Sequence, residues 1–385
     1  MVKKFSEFLK IERTVIKSPE VFSFAYVPEE IVERGETSRL YNEASKFINY
    51  GIPNNILLIG PPGSGKTVTL NYVRQQLKEL KPNLMVSYVN CSDKTASTIM
   101  NILAQNLSRK KLSEEQQIIS FLSQLTGNIL IVLDEIDKGI NLRHLLYSLS
   151  RPAEILENFK YSISLILVSN DLNWDDSLDL AVRSSLQSTR ISFENYSKND
   201  IIKILTGRAK VGFNDENCIN QKLLEKIAET VSEKYHGDCR IAIKILLYSA
   251  QSAESKNRET IEEHDIEVGV PKAIKDIEKD KLSRLSNRDF LALYAIQQSL
   301  DKTVEGVYNK FLELIPLCID IKPVKETMFH HILEYLDTHG LIKKKIEFAK
   351  QKEGPPKRIS DIRCIIKKEI LEEELKGRLL KLTKR

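Results

Sequence analysis

The sequence predicts an α/β domain built on a parallel five-stranded sheet, then a small all-helical domain, then a C-terminal winged-helix domain. Three observations carry this. Continuous apolar runs alternate with helix-spaced segments as far as residue 195, the pattern of strands buried on both faces and wrapped by helices. Strands then stop and helical spacing takes over. From Lys281 onward three amphipathic helices precede two basic strand-like runs. The domains are accordingly placed at 1–195, 196–280 and 281–385.

Taken in order, Phe5, Phe8, Phe22, Phe24 and Tyr26 lead into an extended segment at Tyr26-Val-Pro28, and residues 39–49 form an amphipathic helix. Strands are expected at 55–59, 84–90, 128–134, 162–169 and 188–193. Helices are expected at 198–210, 221–235, 238–254 and 262–279, with Pro271 kinking or restarting the last of these. The charged, helix-compatible run 274–288 reads as the hinge to a third domain. Beyond it, helices are expected around 290–296, at 304–314 and at 323–338, the last ended by Gly340, and then two strands at 341–348 and 358–366.

At 385 residues the chain has room for two or three cores. No apolar run approaches the ~20 residues of a membrane helix, and Met-Val-Lys-Lys-Phe-Ser-Glu lacks a secretory apolar core. Cys91, Cys218, Cys239, Cys318 and Cys364 are scattered, without a C-x-x-C pair. That argues against a zinc site or a disulfide framework and fits a reducing, cytoplasmic setting. The net charge is +5, unevenly placed: from Lys281 onward Lys and Arg outnumber Asp and Glu by 22 to 15. Such a basic end suggests an anionic partner, nucleic acid before membrane, or else a lysine-rich solvated face.

The most specific motif is Gly60-Pro-Pro-Gly-Ser-Gly-Lys-Thr67, set between an apolar strand and a helix. Its glycines let consecutive N–H groups face phosphate oxygens, and the following helix N-terminus favours the same negative charge. Pro62, Gly63, Ser64, Gly65, Lys66, Thr67 and Val68 are therefore the nucleotide-binding candidates. Lys66 would reach the β- and γ-phosphates, and Thr67 would offer its hydroxyl to Mg²⁺. Downstream, Ile129-Leu-Ile-Val-Leu-Asp-Glu-Ile-Asp137 ends a buried strand in carboxylates at the sheet edge where ligands bind. Asp134 would hold Mg²⁺ through water, and Glu135 would polarise the attacking water. Asn170 closes another buried strand and could orient that water. Asp238 is a candidate N-cap, and Arg240 in the turn after it could reach back to the nucleotide.

Together, Gly60–Thr67, Leu133-Asp-Glu-Ile-Asp137, Ser169-Asn170 and Gly237-Asp-Cys-Arg240 resemble the nucleotide motifs of AAA+ ATPases. More narrowly the chain resembles the archaeal replication initiators, homologues of the largest origin recognition complex subunit and the cell-division-control loader. Tyr26-Val-Pro-Glu-Glu30, Val89-Asn-Cys91, Ser184-Ser-Leu186 and Ile191-Ser-Phe-Glu-Asn-Tyr196 extend the likeness over essentially the whole chain. The resemblance implies slow ATP hydrolysis to ADP and binding of double-stranded origin DNA. It also implies recruitment of a replicative helicase of the minichromosome maintenance type, and paralogous initiators as further partners. It implies that Tyr26 and Val27 flank the adenine, and that 93–109 corresponds to a DNA-contacting helical insertion. Two positions depart from the family pattern. Ala181 stands where an arginine acting on a neighbouring subunit's nucleotide is usual, with Arg183 two residues on, and Glu33-Arg34 stands where His-Arg is common.

In a winged helix the second helix of the turn motif enters the major groove. Here that helix would present Lys325, Thr327 and His331. Lys350, Lys352, Lys357 and Arg358 surround the turn of the hairpin and would neutralise phosphates. Two readings compete with an ATP-switched origin-binding initiator. One is a DNA-binding regulator or repressor that uses nucleotide structurally. The other is a remodeller of the clamp-loader type.

Overall fold

The computed structural model describes residues 14–107, 117–317, 321–338, 340–349 and 357–382. Phe5, Phe8, Arg109, Cys318, Lys350, Lys352 and the Gly354-Pro-Pro356 turn lie outside them. The chain divides into two compact units, one ending at Gly269 and the other beginning at Val270.

The first unit opens with α1 (Gly35–Tyr50), β1 (Ile56–Ile59), α2 (Lys66–Leu80), β2 (Met85–Asn90), α3 (Ala96–Leu107) and α4 (Gln117–Leu122). It continues with β3 (Ile129–Asp134), α5 (Arg143–Ser150), β4 (Ile163–Ser169), α6 (Leu180–Leu186) and β5 (Thr189–Ser192). The five strands form one sheet in the order β2-β3-β4-β1-β5, every pairing parallel. All residues of β1, β3 and β4 are buried, which explains why their sequences run apolar without alternation. Leu57, Ile59, Ile131, Leu133, Leu165 and Leu167 face one helical layer. Ile56, Leu58, Leu130, Val132, Ile166 and Val168 face the other. Each such side chain contributes about 1.5–3 kcal/mol by leaving water. Helix α3, expected to be a DNA-contacting insertion, lays Ile99, Met100, Leu103 and Ala104 into this core.

The helical part of the unit comprises α7 (Lys198–Gly212), α8 (Gln221–Lys234), α9 (Cys239–Glu254) and the start of α10 (Glu263–Ser283). Side-chain caps fix three of these starts. Ser197 and Asp200 form a reciprocal capping box on α7, Asn220 caps α8, and Asp238 caps α9 as its sequence position suggested. The segment before α1 packs on these helices. Ile16 bridges to Phe213, the Val15 and Ile16 amides donate to Glu254 Oε1 at 3.2 and 2.9 Å, and the Phe22 and Phe213 rings lie 5.3 Å apart.

Helix α10 continues through Pro271 without restarting: both Pro271 and Glu267, whose carbonyl loses its donor, are on the exposed side. It extends into the charged, helix-compatible run 274–288 as far as Ser283. In the second unit follow α11 (Asn287–Gln298), α12 (Val304–Leu314), α13 (Glu326–Thr338), β6 (Ile342–Ala349), β7 (Lys357–Cys364) and α14 (Lys368–Leu382). Strands β6 and β7 pair antiparallel from Ile342–Cys364 to Ala349–Lys357, and Phe290, Phe311, Phe329, Leu333 and Ile362 share the core with the helices. Three helices and a hairpin are the element order of a winged helix; α14 was not foreseen. Arg378 fastens it, donating to the Leu282 and Leu285 carbonyls with its guanidinium 4.5 Å from the Phe290 ring centre. Among the described residues no helix is long and apolar enough to cross a membrane.

The helical part of the first unit is closed by one buried carboxylate. Asp265 is 0 % exposed and accepts two bonds from Arg258 NH2 at 2.7 Å, one from Ser252 Oγ at 2.8 Å, one from the Glu262 amide at 2.9 Å and one from Lys256 Nζ at 3.3 Å. Asp265→Ala removes these acceptor contacts and is expected to destabilise these helices by about 3 kcal/mol, read as a lowered midpoint in urea denaturation.

Candidate functional site

The site lies where β1, β3 and β4 end. Between β1 and α2 the backbone takes left-handed angles at Gly63 (φ 81°) and Gly65 (φ 95°), conformations that other residues reach only under strain. Space is as restricted as conformation. A Cβ on Gly63 would overlap the Asp238 carboxylate, and one on Gly65 would overlap the Tyr196 hydroxyl. The turn is thus pressed between the sheet and the start of the helical part.

Lys66, 5 % exposed, turns its ammonium back into the loop. It donates to the Gly60 carbonyl at 2.5 Å and the Pro61 carbonyl at 3.0 Å, with Ser64 Oγ at 3.4 Å. Burial pushes its pKa down to about 8, with the charges of Asp134 and Asp137 opposing the fall. An anion arriving in the loop would relieve that desolvation by supplying a counter-charge.

Thr67, in the first turn of α2, donates through Oγ1 to Asp134 Oδ2 at 3.0 Å. The two residues expected to hold a metal are therefore in contact. Asp134 is 2 % exposed. Burial raises its pKa, while hydrogen bonds from Tyr88, Thr67 and the Glu135 amide hold it back. Glu135 follows at a left-handed φ of 52° and pairs with Lys138 at 3.1 Å. Strand β4 lies between β3 and β1, so Asn170 follows directly at the edge between the acidic strand and the glycine loop. Its backbone N–H donates to Asp137 Oδ1 at 3.3 Å.

Arg240 is brought to the loop by α9, but Asp238 holds it there. Its Nε and NH2 donate to Asp238 Oδ1 and Oδ2 at 3.0 and 2.6 Å, a bidentate pair lying against Gly63. Tyr26 is half-buried, with the Arg208 guanidinium 4.5 Å from its ring centre. Pro62 is exposed in the loop, Val68 half-buried in the first turn of α2, and Val27 half-buried one residue after Tyr26.

Two side chains central to this geometry, Arg34 and Tyr88, are given no role by the sequence, although Arg34 is the arginine of the Glu33-Arg34 pair. Arg34 donates to the Ser64 carbonyl at 2.6 Å and the Glu194 carbonyl at 3.0 Å, with its guanidinium 4.1 Å from the Tyr196 ring centre. It ties the glycine loop to the end of β5. Tyr88 donates to Asp134 at 2.7 Å from the neighbouring strand. Its one trace in the sequence is a polar aromatic near the end of the strand Met85–Asn90.

In the second unit Lys325, Thr327 and His331 are exposed at the start of α13. His331 is paired with Glu334 at 3.5 Å, so this surface is mixed in charge. Lys357 and Arg358 begin β7.

Two family models match the chain. One, described as an AAA domain, covers residues 53–172, and one described as the Cdc6 AAA+ ATPase-type lid domain covers 202–270. The ORC1-type DNA replication protein 1 of Archaeoglobus fulgidus is 28 % identical over 355 residues, spanning 86 % of this chain and 84 % of the relative. The ORC1-type DNA replication protein of Thermococcus onnurineus is 29 % identical over 368 residues, spanning 89 % and 87 %. In structure, the Aeropyrum pernix ORC1 protein, solved in complex with DNA, superposes with a TM-score of 0.74 at 23 % identity, over 96 % of this chain and 100 % of that one. Cdc6p of Pyrobaculum aerophilum gives 0.56 at 22 % identity, over 96 % and 99 %. The chain thus carries a match to an AAA domain and a match to a Cdc6-type lid, is similar over most of its length to ORC1-type DNA replication proteins, and shares the fold of the Aeropyrum pernix ORC1 protein.

Proposed function

We propose that the chain is an ATP-binding replication initiator that binds origin duplex DNA, helps recruit the replicative helicase, and hydrolyses ATP slowly as a switch. The observation that carries the nucleotide part is the Thr67–Asp134 hydrogen bond beside the buried Lys66. It joins the phosphate loop to the acidic strand across β4, in the arrangement that binding a nucleoside triphosphate with its cation requires. Mg²⁺, when bound, would be held by Thr67 and, through water, by Asp134, and would neutralise charge on the phosphates.

The chain's own residues divide the work. Lys66 exchanges the Gly60 and Pro61 carbonyls for phosphate oxygens, and the loop amides add their donors. Glu135 accepts a proton from the attacking water, and Asn170 orients that water. Arg240 leaves Asp238 for the γ-phosphate, so the lid responds to which nucleotide is bound. Tyr26 and Val27 flank the adenine. In the second unit Lys325, Thr327 and His331 meet the groove, and Lys350, Lys352, Lys357 and Arg358 meet the phosphates. The DNA part is supported by the ORC1-type relatives and by the basic balance of the C-terminal unit.

Three outcomes are expected. Glu135→Gln keeps ATP affinity within about threefold and slows hydrolysis at least a hundredfold in single-turnover assays. Arg240→Ala leaves the Asp238 carboxylate unpaired beside the loop, so calorimetric affinity falls about tenfold or more for ATP and less for ADP. On genomic DNA next to its own gene the protein gives a discrete footprint, and Lys325→Ala lowers the slope of log affinity against log salt by about one. Protection spread evenly over random sequence would sink the initiator reading.

A further inference from the structure

We propose that Tyr88 is a positioning residue for the divalent-cation site, fixing the Asp134 carboxylate so that Thr67 and Asp134 are pre-arranged before the cation binds. The proposal rests on the nucleotide reading above. In the β2–β3 register Tyr88 lies opposite Val132, with Asn90 opposite Asp134, so its ring spans the diagonal to the next strand and its hydroxyl reaches Asp134 Oδ2 at 2.7 Å. The same oxygen accepts Thr67 Oγ1 at 3.0 Å, and Oδ1 accepts the Glu135 amide at 2.9 Å. Three donors thus hold both oxygens of a carboxylate that is almost wholly out of solvent.

Donor and acceptor roles follow from chemistry. An ionised carboxylate only accepts, so both hydroxyls point their protons at it. The Thr67 oxygen then has its lone pairs turned away from Asp134, free to face a cation. Were Tyr88 absent, Thr67 would be the one side-chain donor left on Oδ2, and the carboxylate could rotate about its Cβ–Cγ bond. The tyrosine itself is held in place: the Arg74 guanidinium lies 4.6 Å from its ring centre, and Arg74 NH1 donates to Asn71 Oδ1 at 2.9 Å on the same helix. An arrangement of Arg74, Tyr88 and Asp134 therefore runs from the surface of α2 to the cation site. A phenylalanine would fill the same volume, so packing alone does not account for the hydroxyl.

Partners that orient a metal ligand are commonly worth ten- to a hundredfold in metal affinity. The test is a Mg²⁺ titration of ADP binding, followed by calorimetry, on the full chain and on Tyr88→Phe. The variant should need about tenfold more Mg²⁺ for half-maximal enhancement, while ADP affinity in excess chelator stays at the wild-type value. Arg74→Leu, which keeps the hydroxyl but frees the ring, should shift the Mg²⁺ midpoint in the same direction by less. A Tyr88→Phe midpoint equal to wild type overturns the proposal, as does an equal loss of ADP binding with and without Mg²⁺. If the wild-type chain shows no Mg²⁺-dependent ADP binding, the nucleotide reading falls and this inference with it.

Discussion

The structure depends on a contact that spans two strand spacings. Strands β1 and β3 are separated by β4, which puts them roughly 9.6 Å apart. Yet Thr67, which follows β1, lies 3.0 Å from Asp134, which ends β3. The gap is closed because the glycine loop carries the chain over the end of β4 before α2 begins. That path requires left-handed backbone at Gly63 and Gly65, and it leaves Asn170, the first residue beyond β4, beneath the loop. Strand order, loop geometry and the polar cluster are thus one constraint.

The cluster is stabilised by exchanging partners and not by isolation. Lys66 would be costly to bury alone, and its ammonium instead binds the carbonyls of its own loop. Arg240 is likewise neutralised by Asp238 against Gly63. Both cations are charged, satisfied and close to where phosphates would enter, and in each case a phosphate oxygen can replace the present acceptor. The loop is therefore prepared for an anion without holding unpaired charge.

Much of this was legible because it is local. Gly60–Thr67, Ile129–Asp137 and Ser169-Asn170 are consecutive stretches whose residue types state their geometry, and the apolar runs of β1, β3 and β4 mark a sheet covered on both faces. What stayed hidden depends on distance along the chain. Arg34 meets Ser64 and Glu194, Tyr88 meets Asp134, and Asp238 meets Gly63, pairings that no spacing encodes. Helix α14 escaped notice for another reason: Lys368-Glu-Ile-Leu-Glu-Glu-Glu-Leu-Lys distributes charge around its circumference, and Ile370 and Leu371 are adjacent rather than a turn apart. Pro271 sits inside α10 without restarting it, on an exposed face that the sequence alone does not reveal. An exposed helix face lets water take the place of the missing amide.

The charged side chains around α6 balance one another. Arg183 is paired with Asp176 at 2.9 Å and lies 3.9 Å from Asp175, which also pairs with Arg190 at 3.2 Å. These are exposed pairs, each worth roughly 0–1 kcal/mol, so they would not by themselves prevent Arg183 from turning outward. Charge balance matters more than their strength. Asp175 and Asp176 accompany Arg183 and Arg190 on the same surface, leaving the patch nearly neutral. Ala181 adds no charge to it. Arg240 is the cation that α9 brings to the glycine loop, where Asp238 holds it through two hydrogen bonds.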